Sequence, residues 1–146
     1  MKKQIEFVIP GEPISQGRPR FSNRGGFVRA YDPKKSRDGK ATVKLCAKEA
    51  VDKMEWGTLM TGPIEMMVQF GIALPKSAYR KRTPVGRQWR TKKPDLDNLM
   101  KLVKDACSGV VFLDDNQVVR VIAEKIQCAQ EEAPFTKIRF KELEDL

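Results

Sequence analysis

Two aspartates stand two residues apart in Pro94-Asp95-Leu96-Asp97-Asn98, and a second acidic pair, Asp114-Asp115, follows downstream. On an extended backbone the first spacing would aim both side chains to one side. A hard divalent cation needs oxygen donors of this kind. Mg²⁺ takes a few carboxylates and fills its remaining positions with water and substrate phosphate, and Mn²⁺ is a possible substitute. Asp114 and Asp115 offer a third ligand from a turn. Lys101, four residues after Asp97, shares its helical face and is within reach of a phosphate bound at such a metal. The chain contains no histidine, which removes His-containing triads, His-ligated zinc and a His general base. Chemistry is left to carboxylates, lysines, hydroxyls or an oxygen-ligated metal.

Each of these residues also has a plain structural explanation. Asp97 can be an N-cap, Asp95 a salt-bridge partner of the preceding basic segment, Asp114-Asp115-Asn116 turn formers, and Lys101 an i,i+4 partner of Asp97. Taken singly, these explanations outweigh a catalytic one. They do not explain why the most basic segment abuts the acidic pair. That segment runs from Lys76 to Lys93 and carries Lys76, Arg80, Lys81, Arg82, Arg87, Arg90, Lys92 and Lys93 with no acidic residue, alongside Tyr79 and Trp89.

A formal net charge of +9 and a pI of about 9.6 favour polyanionic partners, nucleic acid ahead of an acidic membrane surface. A second basic stretch places Arg18, Arg20, Arg24 and Arg29 among Phe21, Phe27 and Tyr31. Such interleaving suits phosphate contact plus base stacking, and equally a solvated hairpin with buried aromatic faces.

The elements that must position these residues follow from periodicity. Ile5, Phe7 and Ile9 alternate with Gln4, Glu6 and Val8, predicting a first strand ended by Pro10-Gly11. Asp32-Pro33 reads as a cap with proline at the first helical position, opening a helix to about Trp56 with Gly39 in its early turns. Ile64, Met66, Val68, Phe70 and Ile72 form the cleanest alternating strand, bounded by Gly62-Pro63 and Leu74-Pro75. Asp97 can cap a helix with Leu99, Leu102, Val103 and Ala106 on its apolar face and Gly109 at C′. Val118 to Cys128 reads as a strand with Val118, Ile122, Ile126 and Cys128 on one parity, and Phe135 to Lys141 as a last strand. The sum is a small α/β (α+β) single domain over residues 1–146, a mixed sheet of about four strands covered by two helices. With both helices on one face, the other must be polar or covered by a partner, and homodimerisation is the natural solution.

No apolar run approaches the ~20 residues needed to span a bilayer, and the first ten residues lack the apolar core of a signal peptide, so a cytoplasmic location without membrane contact is expected. Cys46, Cys107 and Cys128 are odd in number and far apart, and read as core residues rather than a disulfide framework or zinc knuckle.

The run Lys92 to Lys101, then Asp105-Ala106, then Phe112-Leu113-Asp114-Asp115 with Gln117-Val118-Val119, closely resembles the RusA family of Holliday-junction resolvases, small bacterial or prophage-associated endodeoxyribonucleases. The resemblance covers roughly Lys92 to Glu124. It implies that Asp95, Asp97 and Asp115 are metal-binding catalytic carboxylates, with Asp114 adjacent, that Lys101 is the catalytic lysine, and that the enzyme is a homodimer acting on branched DNA without a small-molecule cofactor. The expected chemistry is metal-assisted phosphodiester hydrolysis, Lys101 stabilising charge on the phosphate. Two rivals are a non-catalytic phage DNA-binding module, which leaves the acidic pair idle, and a nucleotidyltransferase, for which no Gly-Ser phosphate-binding turn is present.

Overall fold

The computed structural model describes residues 2–146, apart from the side chain of Arg24. Its main sheet has five strands in the order β1-β7-β4-β6-β5: β1 (Gln4–Pro10), β4 (Ile64–Ile72), β5 (Gln88–Trp89), β6 (Val118–Gln127) and β7 (Phe135–Glu142). β4 and β6 run parallel and the other pairings are antiparallel, so the sheet is mixed, as expected. The strand beyond the anticipated four, β5, lies inside the basic segment. Two residues carry no readable period.

Two helices, α1 (Lys34–Asp52) and α2 (Leu96–Cys107), supply Val43, Ala47, Leu99, Leu102, Val103 and Ala106 to one core with Ile5, Phe7, Ile9, Met66, Val68, Phe70, Ile138 and Phe140. The alternating positions of β1, β4 and β7 thus face the helices, as their period of two demands. Gly39 is no defect in α1. A Cβ there would meet Ile14 at 2.8 Å, so the glycine lets the chain after β1 lie directly on the helix.

Three local expectations are corrected. Pro33, not Asp32, flanks α1, and the helix ends at Asp52 rather than near Trp56. The Asp32 carboxylate instead accepts from Lys40 Nζ at 2.7 Å and Gln16 Nε2 at 3.2 Å, and the lysine hydrogen bond holds it below the usual carboxylate range. In β6 the common parity of Val118 and Ile122 is broken by a register shift. Val118 pairs with Ile64 and Arg120 with Glu65, leaving Val119 as the extra residue, so Ile122 aligns with Met67 on the helix-free face. A bulge inserts one residue and flips everything beyond it.

The helix-free face is mostly polar. Glu65 takes Arg120 at 2.6 Å and Arg139 at 3.7 Å, and Glu6 takes Lys137 at 3.3 Å. The small hairpin β2 (Arg20–Ser22) and β3 (Arg29–Tyr31) forms a separate two-stranded sheet.

Candidate active site

The start of α2 is set by the Leu99 amide, which donates to the Asp95 carbonyl at 3.2 Å. Asp95 is therefore the flanking residue and Asp97 already lies in the first turn, two residues past the cap position expected of it. The pair spans a junction between extended and helical backbone, so the strand-like spacing does not apply. Both carboxylates are exposed. Asp95 makes no side-chain capping bond, and neither carboxylate has a hydrogen bond or ion pair among the described residues. Asp97 and Lys101, one turn apart and both exposed, form no ion pair. None of the structural roles weighed for these three side chains is thus in use, and carboxylates beside the first amides of a helix are electrostatically favoured.

The approach to α2 is held by residues whose importance the sequence reading missed. Lys125 Nζ donates to the carbonyls of Lys92 and Pro94, both at 2.7 Å. The Arg90 guanidinium donates to the Lys93 carbonyl at 2.8 and 3.0 Å and to Gln127 Oε1 at 2.7 Å. Gln127 Nε2 in turn reaches the Ile72 carbonyl at 2.9 Å. Strand β6 thereby fixes the backbone immediately before Asp95. No local signal marked Lys125, because it reaches the parity that faces the helices only through the register of β6, which aligns it with buried Phe70 of β4.

Asp114 and Asp115 sit differently. Asp114 caps the 3₁₀ turn Asp115–Gln117, accepting from the Asn116 amide at 2.8 Å while its own amide donates to Gln117 Oε1 at 2.8 Å. The Asn116 amide, and then the Asp115 side chain, hold the Asp114 carboxyl below its ordinary range. Gln117 Nε2 ties this turn to the carbonyls of Met60 and Gly62, both at 3.0 Å. Asp114 is thus committed to a capping box. Asp115 follows the C-terminal turn of α2, whereas Asp95 and Asp97 stand at its start. Among the described residues no three His, Cys, Asp or Glu side chains come together as a metal-holding group.

The basic residues divide into two groups. Lys76, Arg80, Lys81, Arg82, Lys92 and Lys93, with Arg18 and Arg20 of the hairpin region, are exposed and have no side-chain partner among the described residues. Arg87 pairs with Glu132 at 2.5 Å and lies 5.3 Å from the Phe135 ring centroid, and Arg90 is engaged as above. These two are structural cations. The side chain of Arg24 lies outside the described residues. No helix of the described residues is long and apolar enough to cross a membrane.

A family model described as "Endodeoxyribonuclease RusA" matches residues 10–140. The chain is 36% identical over 144 residues to the "Uncharacterized protein YqaN" of Bacillus subtilis (strain 168), covering 95% of this chain and 96% of that protein. It is 28% identical over 127 residues to the "Crossover junction endodeoxyribonuclease rusA" of Lactococcus phage r1t, covering 86% and 89% of the two chains. On the match over nearly its whole length, this chain belongs to the RusA endodeoxyribonuclease family.

Proposed function

We propose that the protein is a divalent-metal-dependent endonuclease that cuts four-way DNA junctions as a homodimer. The observation that carries the reading is the pair of exposed carboxylates, Asp95 and Asp97, without partners among the described residues, at the start of a helix whose approach is pinned by Lys125 and Arg90. The donor set fits Mg²⁺, which is bound through one or two carboxylates and completed by water and phosphate rather than by an all-protein cage. Asp95 and Asp97 would hold it, with Asp115 the third candidate. When bound, the ion supplies an activated water and a polarised phosphate.

The chain's own residues do the rest. Lys101, one turn after Asp97, neutralises charge developing on the scissile phosphate. The exposed cations at Lys76, Arg80, Lys81, Arg82, Lys92 and Lys93 grip the backbone on the approach to the carboxylates. The phage relative, named a crossover junction endodeoxyribonuclease, supports a branched substrate, and two sites in a dimer match the two opposed strands of a junction.

The test uses Asp97→Asn and Asp115→Asn. Asparagine is as good as aspartate in turns, and at Asp97, which caps nothing, it gives up only the first-turn charge, about 0.5 kcal/mol, so melting temperatures should stay close to parental. An amide oxygen is a much poorer ligand for a hard cation, so Mg²⁺-dependent cleavage of a synthetic four-way junction should fall by roughly 100-fold or more, as when an electrostatic stabiliser is removed. Binding measured in EDTA should persist. Parental cleavage by either folded variant removes that aspartate from the site. Sedimentation at micromolar concentration should report twice the 16.6 kDa chain mass; a monomer active at its full rate would end the paired-site reading.

A further inference from the structure

The β2–β3 hairpin presents its apolar side chains to solvent. Phe21 is 71% exposed, Phe27 70% and Val28 72%. The reading with buried aromatic faces is therefore not what the chain adopts. Register puts Arg20 opposite Tyr31 and Ser22 opposite Arg29 on one face, with Phe21 opposite Ala30 on the other, and neither face is covered. Gly25 and Gly26 turn the tip at φ of 72° and 80°, conformations that favour glycine. A two-stranded hairpin standing alone is marginal in water, and large aromatics held there are positioned for something other than the core.

Its root, in contrast, is firmly held. Gln16 Nε2 donates to Asp32 Oδ1 at 3.2 Å, closing the stem. The Gly17 amide donates to Ser36 Oγ at 2.8 Å, and a Cβ on Gly17 would meet Pro33 at 2.9 Å. The Gln16 amide donates to the Asn98 carbonyl at 2.9 Å. That last bond fastens the hairpin stem to the first turn of α2, the turn that carries Asp97. Between Pro13 and Tyr31 the segment holds Arg18, Arg20, Arg24 and Arg29 and no acidic residue.

A tethered root, an uncovered aromatic tip and cations of one sign describe a stacking arm for a polyanion that has π faces. We infer that the hairpin stacks Phe21 and Phe27 on bases unstacked at the branch point of DNA, with Arg18, Arg20 and Arg29 on the flanking phosphates, and so sets which phosphates reach the carboxylates of α2. The inference rests on the nuclease reading above. Apolar side chains inserted at base steps, and aromatic platforms for unstacked bases, are established means of holding distorted DNA, whereas an intact duplex offers no free base face.

The experiment measures binding in EDTA, so that it is independent of cleavage, on a synthetic four-way junction and on a duplex of the same sequence, each with 2-aminopurine at the position of the branch. The parent protein should bind the junction more tightly and change the 2-aminopurine emission only there. Phe21→Ala with Phe27→Ala should leave the melting temperature unchanged, lose roughly 5- to 150-fold in junction affinity for each stacked base given up, leave duplex affinity unaltered and abolish the emission change. Phe21→Trp with Phe27→Trp should restore both. Equal losses on junction and duplex, or no loss on either, would overturn the inference. So would a fall from dimer to monomer mass in the alanine variant, which would make the hairpin an interface between copies. Failure of the nuclease reading is seen separately, as a parent protein that binds the junction yet never cuts it with Mg²⁺.

Discussion

The two basic segments look alike in sequence and differ in the fold. In the hairpin, Arg18, Arg20 and Arg29 stand exposed beside exposed aromatics. In the Lys76 to Lys93 segment, two of the arginines are built into the framework. Arg90 knits β6 to the backbone ahead of Asp95, and Arg87 pairs with Glu132 over the Phe135 ring. Phe135 in turn lies so close to Gly71 that a Cβ there would meet its ring at 2.2 Å. The chain ahead of Arg87 is stapled too: Gln130 Oε1 accepts from the Arg80 and Val85 amides at 3.0 and 3.2 Å. Positive charge by itself thus does not identify a DNA contact. What decides is whether nearby carbonyls and carboxylates already occupy the donors.

The sharpest test of that division is to remove only cations that have no partner among the described residues. Lys76→Ala, Arg80→Ala, Lys81→Ala and Arg82→Ala combined should leave the melting temperature unchanged. DNA affinity at low salt should drop by roughly 100-fold or more, and the log-log salt slope should fall by about one unit for each phosphate no longer neutralised. An unchanged slope, read by anisotropy titrations at several salt concentrations, would make this segment a merely solvated face.

Arg90→Ala should behave in the opposite way. Hydrogen bonds from a charged group to the Lys93 carbonyl and Gln127 are lost together, at a cost of about 2 kcal/mol in denaturant unfolding. Junction cleavage should fall while the salt slope moves by less than about one unit. A variant with full stability and a reduced slope would return Arg90 to the DNA-contacting group.

Arg87→Ala is the smaller structural case, because its partner pair is partly exposed and screened; about 1 kcal/mol is expected. Its acid counterpart has a definite sign. The Arg87 guanidinium, and then the Ala129 amide, hold the Glu132 carboxyl below its ordinary value of 4.5. A depressed carboxylate contributes stability that is present above the ordinary value and lost as pH falls through the lowered one. Unfolding free energy measured from pH 6 downward should therefore decline less steeply in Glu132→Gln than in the parent. Identical acid limbs would show that the pair contributes nothing.

Much was legible from the chain alone because it depends on local period. The alternation in β1, β4 and β7 and the apolar stripe of α2 report which side chains must leave water, and burial answers them directly. Gly109 at φ 82° closes α2 one residue past Ser108, as a glycine after the last apolar turn predicts. The candidate carboxylates and the basic character of their surroundings were equally visible, since residue type and spacing state what chemistry is available.

Pairing across the fold was not legible. Nothing near Lys125 in sequence announces that its ammonium meets the carbonyls of Lys92 and Pro94, more than thirty positions away. The β6 bulge is set by a register with β4, and the two-residue β5 exists only because β6 offers it an edge. Asp97 lost its cap position because the first helical hydrogen bond, from the Leu99 amide to the Asp95 carbonyl, formed two residues earlier. The sequence determined which groups carry charge and which must be buried, through periods of two and 3.6 residues. The tertiary structure decided which charges are already answered by a neighbour, since that depends on pairings between residues far apart along the chain.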